Sequence, residues 1–406
     1  MTELLIPAGS LPLLKTAIRY GADAVYIGGE MYGLRAKAKN FTLADMAEGV
    51  AYCKNAGKKL YVTANITAHN RDLEGVRKYF TELNEIGPDA VIISDPGVFS
   101  IAKETLTPEI AIHISTQANN VNAETFRFWY NLGASRVVCG RELSLREITE
   151  IRKCLPEGAE IEAFVHGAMC ISYSGRCLLS NYLTGRDANL GACTHPCRWR
   201  YALVEETRPG EYLPIEENER GTYIMNSKDL CMISHVPELI AAGIDSFKVE
   251  GRMKHALYVA TVTRAYRRAI DAVSESLDKY LQILPSLEAE IRACEGRELT
   301  TGFYFGHPGA DSMSYDGGDV PESSIYLGTI ERIGDDGYAE FTQKNKFLVG
   351  DTITIMKPNG DNIRAEVTAM QDEAGVSIES CPHPSRTVRI LLSVRPETGD
   401  VMRMDF

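Results

Sequence analysis

Residues 4–28 read LLIPAGSLPLLKTAIRYGADAVYIG. An apolar run comes first, then an amphipathic stretch closed by Gly21, then a second apolar run. Glycine directly after a periodic segment is a helix stop signal. The two apolar runs are continuous rather than alternating, as in strands buried on both faces of a parallel sheet. The stretch therefore reads as strand, helix, strand. The same texture recurs, with further strands expected at 59–66, 90–94, 110–116, 135–139, 161–165 and 245–249. Between the last few of these, LREITEIRKCLPEG repeats the helical pattern and ends near Pro156 and Gly158. Eight strand–helix units predict an α/β fold, a (β/α)8 TIM-like barrel. An open doubly wound sheet is the competing arrangement, and it is weakened because no GxGxxG follows the first strand.

The spacing contains one irregularity. Strands seven and eight are about 80 residues apart. The gap holds a cysteine-rich insertion at about 168–240. An insertion after a barrel strand emerges at the C-terminal face, where active sites of such barrels lie. Residues 255–290 continue as helix. After about residue 320 the pattern changes to short runs separated by GDDG and PNGD turns: SIYLGTIERI, YAEFTQ, DTITIMK, IRAEVTAM, GVSIES and TVRILLSV. These predict a small antiparallel β-barrel. The expected division is 1–320 for the barrel with its insertion and 321–406 for the β-domain.

Bulk composition sets limits. The 406 residues are 44% hydrophobic and 24% charged, with a formal net charge of −12, which fits a globular protein and argues against a generic nucleic-acid binder. No apolar run reaches the roughly 18 residues needed to span a bilayer. The start, MTELLIPAGS, lacks the basic and apolar regions of a secretory signal. A cytoplasmic protein with no membrane partner is the expectation. In such a reducing compartment, clustered thiols point to metal binding or catalysis rather than disulfides.

Polar residues fall where the barrel strands should end: Asn65, Asp95, Gln117, Arg141, Glu142, His166 and the run 248–252. Side chains alternate along a strand, so Lys248 and Glu250 share a face, expected to be that of the barrel mouth. Buried charges there need partners or a ligand. An internal salt-bridge network is one reading. A pocket for a small anion contacted by Arg141, Lys248 and Arg252 is another, and the two are compatible. His166, Lys248 and Glu250 are the candidate catalytic groups. Asn65, Gln117, Arg141, Glu142, Arg176 and Arg252 are candidate substrate contacts. His166 reads equally as a proton-transfer group or as a hydrogen-bonded core histidine.

Four of the ten cysteines cluster as Cys170, Cys177, Cys193 and Cys197, with spacing C-x6-C-x15-C-x3-C, and Cys231 follows. Zinc sites usually use CxxC knuckles, and the chain has none. A bulkier iron–sulfur cluster (4Fe-4S) tolerates wide, irregular spacing, so it ranks above zinc. Arg176, Arg186, Arg198 and Arg200 surround these thiols against the single acid Asp187, making this the most cationic part of an acidic chain. Tyr173, Tyr182 and Trp199 are interleaved. They could stack on unpaired bases or belong to a core.

The stretch EAFVHGAMCISYSGRCLLS, residues 162–180, resembles the signature of the collagenase-like peptidases (unassigned peptidase family thirty-two). PAGS at 7–10, SDPG at 94–97, RELSL at 141–145, NSKDL at 226–230, KVEGR at 248–252 and KNKFLVGD at 344–351 extend the likeness over essentially the whole chain. The cysteine spacing is most similar to the family's tRNA hydroxylation branch. The resemblance implies an iron–sulfur enzyme carrying out oxygen-independent hydroxylation of uridine-34 in tRNA to 5-hydroxyuridine, with prephenate as co-substrate. Implied partners are the tRNA anticodon loop, a small anionic co-substrate such as prephenate, and a related family subunit. Some family branches take a cluster ligand near NSKDL, so Cys231 competes with Cys193 or Cys197 for the fourth position. A peptidase is the alternative, although neither HExxH nor GxSxG occurs. A non-catalytic, metal-stapled scaffold acting with a related partner is a third reading.

Overall fold

The computed structural model describes residues 2–33, 40–169, 226–294, 296–306 and 323–406, with short pieces between 179 and 222 and at 313–314. All eight expected barrel strands form. They are β1 (Glu3–Pro7), β2 (Ala24–Gly28), β3 (Lys59–Thr63), β4 (Ala90–Ile93), β5 (Ala111–Ile114), β6 (Arg136–Val138), β7 (Glu160–Gly167) and β8 (Ser246–Val249). Each pairs in parallel with the next, and β8 pairs with both β7 and β1, which closes the sheet into a (β/α)8 barrel. The long β7–β8 connection returns through a short strand, Asp229–Cys231, laid antiparallel against the end of β7.

The β-branched and aliphatic residues of the strands' outer faces pack under the helical layer. Val25, Ile27, Val62, Val91, Ile93, Val137, Ile161 and Val165 all belong to one continuous core. Inside the barrel a second cluster of Leu5, Ala24, Tyr26, Tyr61, Ala90 and Ile92 fills the half nearest β1–β4. Helix ends follow local chemistry. Thr42 and Ser144 form capping boxes with Asp45 and Glu147, satisfying N–H groups that a helix start leaves unpaired.

The β-domain is a seven-stranded antiparallel sheet, distinct from the barrel sheet. Its strands are β9 (Ser324–Thr329), β10 (Arg332–Ile333), β11 (Ala339–Thr342), β12 (Thr352–Met356), β13 (Ile363–Asp372), β14 (Thr387–Leu392) and β15 (Val401–Asp405). Two sequence expectations shift. GVSIES makes only isolated bridges, because the chain turns at residues 373–374, directly after β13 ends. The short run at β15, which the sequence pattern passed over, pairs with both β9 and β12.

The two sheets meet through helices Leu11–Arg19 and Ala256–Glu275. Tyr20, Ala256, Leu257, Ala260, Met356 and Val401 form a shared apolar cluster. At its centre the Tyr20 hydroxyl donates to the Met356 carbonyl at 2.7 Å and accepts from the Val401 N–H at 3.1 Å. Beside it Asp400 pairs with Arg19 at 2.8 Å and with Lys357 at 2.6 Å.

Tyr20→Phe leaves a buried carbonyl and a buried N–H without partners, which costs roughly 1–3 kcal/mol each. The expected result is a lower urea midpoint with an unchanged circular dichroism spectrum. An unchanged midpoint would show that apolar contact alone docks the β-domain.

Candidate functional site

Alternation along β7 and β8 sets the barrel interior. Glu160, Glu162 and Phe164 lie on one face of β7, and Ser246 and Lys248 on the matching face of β8. Glu162 is fully buried. One of its oxygens accepts from Lys248 Nζ at 2.5 Å and the other from Arg136 Nη1 at 3.1 Å. Arg136 also reaches Glu3 at 2.5 Å and Glu160 at 2.8 Å. Ser246 and Tyr61 complete the shell around Glu3 at 2.8 and 2.7 Å. A connected set of charges thus runs from the strand starts up to Lys248.

Burial opposes the Arg136 charge, but Glu162 and Glu3 outweigh it and hold the guanidinium firmly protonated. Burial likewise raises the Glu3 carboxyl, yet the hydrogen bonds and charge of Arg136, with Tyr61 and Ser246, outweigh that and hold it below the usual glutamate range. His113 sits fully inside, edge-on to Tyr61 with ring centroids 4.7 Å apart. Burial, then the charges of Arg136, Lys248 and Lys59, keep its pKa far below the usual histidine value, so it is a neutral ring.

Above this set the strand ends form the mouth. Lys248 Nζ lies 4.6 Å from the centre of the Tyr26 ring, and Arg141 covers the Phe164 ring at 4.1 Å. The Tyr26 hydroxyl donates to the Val249 carbonyl at 2.9 Å and reaches Glu250 at 3.2 Å. Arg252 is buried against Gly28, where any Cβ would collide with its guanidinium. Its fork reaches Asn40 at 3.2 Å and Thr63 at 3.4 Å. Across the mouth, Asn65 donates to Gln117 at 2.8 Å, and Ser115 also donates to Gln117. The buried Asn65 Oδ1 has no hydrogen-bond partner among the described residues. The rim at β3–β5 is therefore built largely of neutral amides and hydroxyls, Arg141, Lys248 and Glu250 bring charge at β6–β8, and the Arg252 guanidinium reaches across to β2 and β3.

Two strand-end residues lie elsewhere. Asp95 caps the helix Pro96–Thr105 by accepting from the Val98 N–H. His166 is turned off the mouth by a bulge. The β7–β8 register pairs Lys248 with Phe164 but Val249 with His166, so His166 shares the outward face of Val249. There it packs against Tyr258 and Tyr266, with Nδ1 3.4 Å from the Tyr266 hydroxyl. Cys231 is paired in register with His166. Glu142 folds back over Gly140 at the end of β6. Gly167 sits at φ +100°, and a Cβ there would lie 2.1 Å from the Glu250 carbonyl, so this crossing of β7 and β8 needs glycine.

Of the thiol candidates, Cys193 and Cys231 are half-buried. Cys170, Cys177 and Cys197 lie outside the described residues, as does Arg176. Among the described residues no cluster of three His, Cys, Asp or Glu side chains forms a metal site. None of the described helices is long and apolar enough to cross a membrane. Glu3, Arg136, Glu162 and Tyr26 were not singled out by the sequence. For Glu162 a signal existed, since a lone acid in the apolar run IEAFV marks a paired charge.

Comparison with known proteins gives the same outline. The pattern of Peptidase family U32 matches residues 9–314, and that of the Peptidase family U32 C-terminal domain matches 322–403. The chain is 38% identical over 404 residues to "tRNA hydroxylation protein P1" of Bacillus subtilis, covering 99% of this chain and 94% of that one. It is 40% identical over 428 residues to "tRNA hydroxylation protein P" of Escherichia coli, covering 95% and 92%. It is also 32% identical over 407 residues to "Collagenase" of Porphyromonas gingivalis, covering 97% and 96%.

Glu162→Ala removes one acid from between two buried cations, a change that typically costs 3–5 kcal/mol. A drop of that order in unfolding free energy is expected from urea melts, with Glu162→Gln less severe. Glu3 is bound more weakly by protons in the folded state than in the unfolded one. Its contribution is therefore complete above the unfolded pKa of about 4.3 and lost as pH falls through the lower folded value. Comparing wild type with Glu3→Gln in melts between neutral pH and pH 3 checks this. The difference between them should shrink as the pH falls.

Proposed function

We propose that this chain, which belongs to peptidase family U32, is an RNA-modifying enzyme that hydroxylates uridine-34 of tRNA to 5-hydroxyuridine without molecular oxygen. The observation that carries this reading is the similarity to the two tRNA hydroxylation proteins along nearly the entire chain. The geometry of the mouth supports it. The amide half, Asn65, Ser115 and Gln117, offers hydrogen-bond donors and acceptors suited to the edge of a pyrimidine. An anticodon loop presents such a base unstacked. The cations Arg141, Lys248 and Arg252 suit a small dicarboxylate such as prephenate.

Replacing C–H by C–OH without molecular oxygen removes two electrons, so the reaction needs an oxygen donor and a two-electron acceptor, either the co-substrate itself or water with an external oxidant. A 4Fe-4S cluster held by Cys170, Cys177, Cys193 and Cys197 would supply that electron-transfer capacity. Cys231 is the competing ligand. Its strand is hydrogen-bonded to the end of β7, and the chain enters the cysteine-rich segment from that same end. The protein's own contribution is positional. Glu162 holds Lys248 in place through their buried ion pair. Tyr26 orients Glu250, which is the group at the mouth able to take or return a proton.

The relative named "Collagenase" keeps peptide hydrolysis as a second reading, and the same experiment separates the two. Nucleoside mass spectrometry of tRNA from a deletion strain should show loss of 5-hydroxyuridine, restored by the wild-type chain. Lys248→Met should restore it to less than about one-hundredth, taking the loss of a charged contact at about 3 kcal/mol. Anaerobic preparations should carry iron and sulfide, and whichever of Cys197→Ser and Cys231→Ser loses them identifies the fourth ligand. Unchanged 5-hydroxyuridine in the deletion strain, together with gelatin cleavage by the pure protein, would favour the peptidase.

A further inference from the structure

A cavity of about 350 Å³ lies away from the mouth, where helices Ala256–Glu275 and Leu277–Cys294 meet the turn at 357–362 and β15. Arg264 and Arg268 line it from the first helix, Ser286 and Glu290 from the second, and Asn362 and Arg403 from the β-domain. Arg264 is 2% exposed and Arg403 8%. Arg264 donates from Nη1 to the Lys357 carbonyl at 2.7 Å and to Asn362 at 2.9 Å, and its Nη2 contacts Glu290. Arg268 reaches the same carboxylate at 3.6 Å. One acid thus faces two guanidinium groups, and a third guanidinium arrives from the other domain. Arg403 Nε lies 2.8 Å from Asp405, outside hydrogen-bond geometry. Arg403 Nη1 and Arg264 Nε, and on the acid Glu290 Oε1, have no hydrogen-bond partner among the described residues. The remaining lining acid, Asp361, sits on an exposed turn.

Buried guanidinium N–H groups without acceptors are costly, and in a native protein they call for a missing water or ion. Arginine forks match oxyanions geometrically. Three of them converging from two domains suit a tetrahedral oxyanion better than a planar carboxylate, which offers only two oxygens. We infer that this interdomain cavity binds a phosphoryl group through Arg264, Arg268 and Arg403. Its source is either the backbone of an RNA or a free phosphorylated molecule. The site stands independently of the hydroxylation reading, because none of its residues belongs to the mouth.

Titration calorimetry of inorganic phosphate into the full-length protein tests it. The expected result is saturable binding at one site per chain, weakened about tenfold or more by loss of one charge-assisted contact. Arg268→Ala is the first variant, since Arg268 is about one-third exposed (side chain 35%) and its loss should spare the fold. Arg403→Met is the second and keeps the buried apolar stem. A short single-stranded RNA is then titrated with and without saturating phosphate. Weaker RNA binding in phosphate for the wild type, but not for Arg268→Ala, assigns the site to a backbone phosphate. RNA binding that phosphate leaves unchanged assigns it to a free phosphorylated ligand. No saturable phosphate binding by the wild type, or equal binding by both variants, overturns the inference.

Discussion

The contact of Glu162 with Arg136 and Lys248 is what the barrel depends on. Strands β7 and β8 must pair across the long insertion that separates them in sequence, and closing so long a loop carries an entropic cost before any contact forms. Glu162 on β7 holds Lys248 on β8, while Glu3 on β1 holds Arg136 on β6 and Ser246 on β8. These charges therefore tie together the strands flanking the seam. Barrels of this kind are usually filled with branched apolar side chains. Here the half nearest β1–β4 is filled by Leu5, Ile92, two alanines and two tyrosines, and the half nearest the seam by ions. A buried ion pair is a weak source of net stability compared with an apolar filling, but removing one member is severe. The arrangement thus favours one register over every slipped one.

The same ions prepare the mouth. Lys248 is the top of the charged set and the bottom of the candidate pocket, so its position is fixed from beneath by Glu162 and from the side by Tyr26. The β3–β5 side of the rim consists mainly of amides and hydroxyls, with Arg252 at its β3 edge. An asymmetric rim of this kind can hold two different small groups against one another.

Much of the fold was legible because parallel strands buried on both faces leave continuous apolar runs. LLIP and AVYIG needed no tertiary information to be read. β15 was missed because VMRMD alternates weakly, and only its two partners make it a strand. The face-sharing of Lys248 and Glu250 could be read from simple alternation. The fate of His166 could not, because a one-residue bulge between Phe164 and His166 reverses its direction, and bulges leave no mark in a sequence. Arg136 and Glu3 escaped notice because they stand at the strand starts, at the end of the barrel opposite the expected site. Only a closed barrel brings them beneath Glu162.

The order of strands in the β-domain also bears on synthesis. β15 emerges last of the seven, yet it sits between β9 and β12 and supplies both Val401 to the shared apolar cluster and Asp400 to Arg19. A ribosome-bound chain lacking this strand has β9 and β12 with open edges and leaves Tyr20 uncovered on a finished barrel. The nascent protein therefore carries exposed apolar surface and free sheet edges until residues 401–405 clear the exit tunnel. That interval is when a chaperone would find most to hold.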